Sequence, residues 1–540
     1  MSLSLRDALI ITVCVVVHLA YRYRNKSKYP LPPGISKWPI VGNAFQIPAS
    51  QQHLFFKDLG EQIGSKIFYL KAFSQDMIVI NDVKIAQDLL DKRSSLYSSR
   101  ARTPMLNDLI GINYFFPFMQ YGDEWRSHRR IFQQYFSPKN MQKEEERTVD
   151  FIRKGLLPNL YETPEKFLEH LLNFVGGLIT ATTYGVQIHR VNDPLVEYQE
   201  HVYGAGEKAA TPGQFLVDVI PQLKYVPGWF PGAGFQNVAR EIKEMTEEVM
   251  DKTYDMTLKG IVRCPVLSEK FGADAFVCHP QDDGSTSDCF VSWSLENNSG
   301  QANYDSQALR TKQIAAAIYK AGSDTRLASS TTFVMAMLLH PDVQRKAQAE
   351  LDSVVGHDRL PDFSDRPHLP YINAILKEVL RYNPPLPFGL PHLTSGEDVY
   401  EGYYIPKGAM VFANSYAVLQ DEGTFLNPRS FKPERFMNAD GTLRTDILDP
   451  ESVATFGFGR RICPGAQLAL STLYLMFSSV LALYDITPEQ DSAGKPIHVS
   501  PEFGGHSIIS QPIPFRCKIT PRKGKNVEGL LKDYLGHEFI

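Results

Sequence analysis

The chain has 540 residues, 43% of them hydrophobic and 21% charged, with a formal net charge of −4. That balance describes a globular protein with a sizeable core, for which disorder is not the default, and it lacks the general basic bias of nucleic-acid binders, so any basic surface must be local. The six cysteines include no C-x-x-C pair, which argues against a zinc ribbon or a disulfide-stapled scaffold and fits a reducing, cytosol-facing compartment.

Residues 1–28 hold an apolar run, Ala8 to Tyr21, extended by Leu3 and Leu5 and followed by Arg22, Arg24, Lys26 and Lys28. The run is shorter than the ~20 residues a spanning helix prefers, but its basic flank predicts a membrane anchor with everything beyond it on the cytoplasmic side. A cleaved signal peptide is the competing reading. The charges follow the run instead of preceding it, and no small-residue cleavage site appears. Residues 29–48, with Tyr29-Pro-Leu-Pro-Pro-Gly and then Trp38-Pro, read as a stiff, extended hinge. A single domain is expected over 49–540.

Within that domain, Ile67 to Asn81 reads as a hairpin and Val83 to Lys92 as an amphipathic helix. The segment from Arg100 to Gly122 lacks helical period but carries Tyr114, Phe115, Phe116 and Phe118, which suit either core or pocket. Trp125-Arg-Ser-His-Arg-Arg130 opens a helix after Gly122-Asp123. Trp125 and Arg129 share one face, fit to hold a buried carboxylate; Arg126 and Arg130 share another, rotated by about 100°. Residues 140–257 are mostly helical, interrupted at 226–235 by an aromatic loop, with Trp229, Phe230 and Phe235, suited either to lipid headgroups or to packing on its own domain. Residues 261–281 have neither period and read as an atypical insertion; Cys264, Cys278 and His279 match no usual zinc spacing.

A long helix from about Ser306 to His340 contains Ala321-Gly-Ser-Asp-Thr325. A glycine there costs ~1 kcal/mol relative to alanine, and close approach of a flat ligand is one reason for it. Glu378-Val-Leu-Arg381 places an acid and a base on one helical face, and Phe431-Lys-Pro-Glu-Arg-Phe436 adds Arg435 in a loop. Phe456-Gly-Phe-Gly-Arg-Arg-Ile-Cys-Pro-Gly465 then delivers Cys463 to the start of a buried helix, with Pro464 at its first position and the thiolate favoured by the helix's positive end. One thiolate cannot build a four-ligand zinc site, but it can supply the axial bond that haem iron needs. Gly504 to Lys518 reads as a closing hairpin that sets Ile508 or Ile509 over a pocket.

The spacing of Phe456, Gly459, Arg461, Cys463 and Gly465 resembles the haem-binding signature of the cytochrome P-450 monooxygenases, and the other motifs follow in that family's order. The resemblance, nearest to fungal microsomal members of secondary metabolism, implies a mainly α fold with a smaller β-rich region. Haem b would lie between the Thr325 helix and the Cys463 loop. It implies Cys463 as iron ligand, Phe456 beside the porphyrin, and Arg100, Trp125, Arg129, His392 and Arg461 at the propionates. Asp324 and Thr325 would deliver protons where the helix opens. Phe115, Phe116, Phe118, Ala321, Phe388, Leu390 and Ile508 would line the substrate pocket. Glu378, Arg381 and Arg435 would form a buried structural network. Arg326 stands where the family commonly has a small residue, one helical step, about 100°, from Thr325.

The implied activity inserts one oxygen atom from O2 into an apolar small molecule, a fungal secondary metabolite or a xenobiotic. No flavin or dinucleotide fingerprint appears, so electrons from NADPH would arrive through a separate NADPH–cytochrome P-450 reductase, with cytochrome b5 as an optional second donor. The implied location is the endoplasmic reticulum membrane, with the catalytic domain facing the cytosol. Two alternatives stay open: a haem-thiolate enzyme that rearranges or dehydrates a peroxide without a reductase, and a non-enzymatic haem sensor or carrier.

Overall fold

The computed structural model describes residues 27–210, 213–262, 289–298, 304–504 and 508–540. The expected anchor run and nearly all of the 261–281 segment, including Cys264, Cys278 and His279, lie outside the described residues.

Ten helices organise the site: α1 (Gln52–Ile63), α2 (Asp123–Tyr135), α3 (Pro138–Asp150), α4 (Phe167–Tyr184), α5 (Pro194–Ala210), α6 (Phe235–Val262), α7 (Tyr304–Leu339), α8 (Pro341–Val354), α9 (Pro370–Tyr382) and α10 (Ala466–Leu483). α7 is the axle. It packs along α4 on one side and α10 on the other, where Phe333 stacks on Phe477 with ring centroids 3.9 Å apart and planes 7° from parallel. α10 is long and apolar enough to cross a membrane, yet 78% of it is buried within the protein, so here it is a core helix. Its composition follows from its place: an apolar helix with no polar face needs neighbours all round.

The smaller β region is one five-stranded sheet and short ribbons. β1 (Ile67–Ala72) and β2 (Gln75–Ile80) form the expected hairpin, in the register Ile67 to Ile80. Next come β3 (Ser99–Arg100), β4 (His392–Leu393) and β5 (Met410–Ala413), and the sheet runs β1-β2-β5-β4-β3. β5 is parallel to β2, while β4 is antiparallel to β5 and to β3. The last pairing sets Arg100 directly opposite His392. Residues separated by nearly three hundred positions thus meet at one sheet edge, which faces the site.

The proline-rich stretch is tied to the β region: the Pro33 carbonyl accepts from Tyr69 N–H at 2.7 Å and that of Pro30 from Tyr404 N–H at 2.7 Å. Two expectations change. The helix over Val83 to Lys92 changes pitch, with α geometry over Val83–Ala86 and wider π turns over Gln87–Lys92. The closing hairpin divides: β7 (Phe503–Gly504) pairs with β8 (Gln511–Pro512), whereas Lys518 lies in β9 (Lys518–Pro521), which pairs with β6 (Tyr484–Thr487).

Candidate active site

An internal cavity of about 320 Å³ opens between α7 and the loop before α10. Cys463 lies on its wall. The loop is pinned by the Cys463 N–H donating to the Phe456 carbonyl at 2.8 Å. It also needs Gly459, whose φ is +56° and whose Cβ, if present, would sit 2.0 Å from the Leu90 carbonyl oxygen. α10 starts at Ala466 with Gly465 as its cap, so Pro464 sits in the preceding turn and not at the first helical position. The thiol is exposed only toward the cavity. Burial pushes it up; the Gly465 N–H and the charges of Arg129 and Arg326 pull the other way and lose. The helix end alone therefore does not make the thiolate expected from sequence, and a bound cation would.

A cluster of cationic side chains occupies one end of the cavity. Arg100, buried at the edge of β3, donates to the Leu390 carbonyl at 2.5 Å and the Pro117 carbonyl at 3.2 Å. Arg461 donates to the carbonyls of Ser98 (2.7 Å), Phe116 (3.3 Å) and Met119 (2.6 Å), and its guanidinium carbon lies 4.3 Å from the Trp125 ring centroid. Arg129 donates to the Ile462 carbonyl at 2.5 Å, and His392 Nδ1 lies 2.7 Å from the Tyr97 carbonyl. On α2, Trp125 and Arg129 line the cavity while Arg126 and Arg130 point to solvent.

These cations lack a counter-charge. Among the described residues no carboxylate pairs with Arg100, Arg129 or Arg461. Burial and mutual repulsion weaken their hold on protons: Arg100 is driven down by burial and by Arg461, and Arg461 is pushed down to about 9 by burial and by Arg129. His392 is driven well down by burial and then by Arg100. The donor set therefore fits a ligand with two carboxylates, an apolar flat body and a metal open to one sulfur, which describes iron protoporphyrin IX.

Phe456 and Ala321 line the cavity, as do Phe115, Phe116, Phe118, Leu390 and Ile508. Phe388 does not. Its ring stacks between Phe56 of α1 and Phe412 of β5, at 4.9 and 4.6 Å between centroids, so the expectation that it lines the substrate pocket is corrected: it belongs to the core beneath the sheet.

The Ala321–Thr325 stretch faces the same cavity, but α7 runs through it unbroken. The Thr325 hydroxyl donates to the Ala321 carbonyl at 2.9 Å, so the helix is not opened there as expected. Gly322 also has a different reason. A Cβ at this position would meet Ile179 Cδ1 at 2.9 Å, so glycine here lets α7 approach α4. Asp324 is held by Lys320 Nζ and by Ser323 Oγ at 3.2 Å, and Lys320 Nζ is also 3.6 Å from Glu207 Oε2 on α5. Beside it the Tyr319 hydroxyl donates to Glu200 Oε1 at 2.9 Å. Burial, and after it the Asp324 charge, raises Glu200 to about 7. Sequence reasoning missed Lys320, Glu200, Glu207 and Tyr319. The Lys320–Asp324 spacing of four was the available signal.

Away from the cavity, Glu378 accepts from Arg381 Nε at 2.7 Å, Arg381 Nη2 at 2.9 Å and Arg435 Nε at 3.0 Å, and all three residues are buried.

A family model described as Cytochrome P450 matches residues 32–518. A cytochrome P450 monooxygenase of Armillaria gallica is 37% identical over 526 residues, 96% of this chain and 97% of that protein. One of Coprinopsis cinerea is 37% identical over 525 residues, 96% of each. Tryptamine 4-monooxygenase of Psilocybe cyanescens is 32% identical over 520 residues, 95% of this chain and 97% of that protein. With its mainly helical architecture and a cysteine loop facing a cation-rimmed cavity, the chain belongs to the cytochrome P450 family of haem-dependent monooxygenases.

Proposed function

We propose that the enzyme inserts one atom of O2 into an apolar small molecule, a fungal secondary metabolite or a xenobiotic, using electrons from NADPH passed by a separate NADPH–cytochrome P-450 reductase. The observation that carries this reading is that Cys463 and Thr325 line one cavity with largely aromatic and aliphatic walls. Bound haem would supply dioxygen activation and oxygen transfer, chemistry that a thiolate ligand favours. Cys463 would ligate the iron, and Arg100, Arg129, Arg461, His392 and Trp125 would hold the propionates, with Phe456 against the ring. Phe115, Phe116, Phe118, Leu390 and Ile508, with Ala321, would orient the substrate and exclude water.

Thr325 Oγ1 would hold a proton at the reacting face by turning away from the Ala321 carbonyl. Asp324 would resupply it, which requires the carboxylate to leave Lys320. Glu378, Arg381 and Arg435 act on folding only. Arg126 and Arg130, exposed on the outer face of α2, suit an acidic reductase, with cytochrome b5 as a second donor. Exposed Tyr225, Trp229 and Phe230 support a membrane-facing loop, in keeping with an amino-terminal anchor in the endoplasmic reticulum.

The test is turnover with reductase, NADPH and isotopically labelled dioxygen. One labelled oxygen atom in the product is expected. Thr325→Ala should keep its haem and consume NADPH while product formation falls about a hundredfold or more, the usual range for a lost proton-transfer group. Full turnover on a peroxide without reductase would overturn the reading.

A further inference from the structure

Arg326 is the one cavity-lining arginine that neither the propionate cluster nor the proton route uses. It is 4% exposed, and its Nη1 is buried without a hydrogen-bond partner. Unlike Arg100 and Arg461, whose N–H groups reach backbone carbonyls, it makes no hydrogen bond to any described residue. Its side chain runs back along α7, with Nη2 3.5 Å from the Cβ position of Gly322 beside Ile179 of α4.

The charges that reach it are those of Glu144 and Cys463. Glu144, on α3, is already committed: its carboxylate accepts from the Tyr135 hydroxyl at 2.8 Å, Arg147 Nη1 at 2.5 Å and Thr182 Oγ1 at 2.6 Å. The guanidinium's remaining electrostatic partner is the sulfur of Cys463, which lines the same cavity as Arg326.

A fixed cation in a low-dielectric wall acts on whatever charge changes near it. When the bound haem accepts one electron, from the reductase or from dithionite in a titration, the iron–porphyrin–thiolate unit gains one negative charge, and no bond forms or breaks. We propose that Arg326 is a positioning residue for electron transfer, its unpartnered guanidinium stabilising the reduced haem-thiolate and so raising the reduction potential of the centre. The proposal rests on the reading of Cys463 as the iron ligand.

The experiment is a spectroelectrochemical titration of the holoproteins of the parent, Arg326→Gln, Arg326→Thr and Arg326→Lys, each checked for its haem-thiolate carbon monoxide spectrum. Removing the charge should lower the ferrous-to-ferric ratio at fixed potential about tenfold, a shift of about 59 mV to more negative values for a one-electron couple. Lysine should recover most of that shift, which a merely structural role would not do. Arg326→Thr carries the test where Arg326→Gln does not accumulate with haem. A parent-like potential in either neutral variant with an intact spectrum overturns this proposal alone. A parent without a thiolate spectrum overturns it together with the reading of Cys463.

Discussion

Two clusters of buried arginine show how differently one chain treats the same charge. Around Glu378, two guanidinium groups share one carboxylate, and Arg435 sends its remaining N–H groups to the carbonyls of Leu426 (2.9 Å) and Ser430 (2.9 Å). Around the cavity, Arg100, Arg129 and Arg461 converge with His392 and find only carbonyl oxygens. The first cluster has a carboxylate supplied by the protein; the second, net positive and partly dehydrated, has none and suits a dianion. Buried cations that the chain pairs with a carboxylate of its own serve folding, and buried cations left without one mark where a ligand carries the opposite sign.

That contrast predicts opposite responses to substitution. The largest effect is expected from Glu378→Gln, which strands Arg381 and Arg435 without a counter-charge: about 3–5 kcal/mol of stability, read by denaturant unfolding, with loss of soluble protein. Next comes Phe388→Ala, which empties the space between Phe56 and Phe412 and should cost about 3 kcal/mol while leaving substrate-induced spectral changes intact. Arg100→Gln should weaken haem retention by about 10- to 100-fold, the scale of a charge-assisted hydrogen bond of about 1.5–3 kcal/mol. Unlike Glu378→Gln, it should leave the haem-free protein as stable as before or more so, because it relieves repulsion with Arg461.

The smallest effect is a pH dependence. Glu200 releases its proton near 4.5 when unfolded and near about 7 when folded. Between those values the folded state binds more protons, so stability falls as pH rises from about 4.5 to about 7. Tyr319, Lys320 and Ser323 partly hold the charged form and limit the loss. Melting temperatures of Glu200→Gln should be flatter across that window; an unchanged slope would remove Glu200 from the account.

The cysteine loop was legible because its glycines and its thiol are local: Gly459 answers a single close approach, and Cys463 follows at fixed spacing. Helix faces were legible too, as Trp125 with Arg129 and Glu378 with Arg381 obey the helical period. What was hidden depends on elements meeting across the fold. Phe388 and Leu390 were both expected to line the pocket, but the turn closed by Gly389 N–H on the Leu386 carbonyl at 3.0 Å sends one ring into the core and leaves the other side chain at the cavity. Glu200 and Glu207 lie two turns apart on α5, and nothing in their own helix announces that α7 brings Tyr319 and Lys320 against them. Arg326 was legible as an unusual neighbour of Thr325, but not its orientation or its missing partner.

The most direct measurement is the carbon monoxide difference spectrum of the reduced, purified protein beside that of Cys463→Ala. The parent should show the Soret shift characteristic of a thiolate-ligated haem, and the variant should lack it. A parent that purifies without haem, or a variant with the parent's spectrum, would contradict the account.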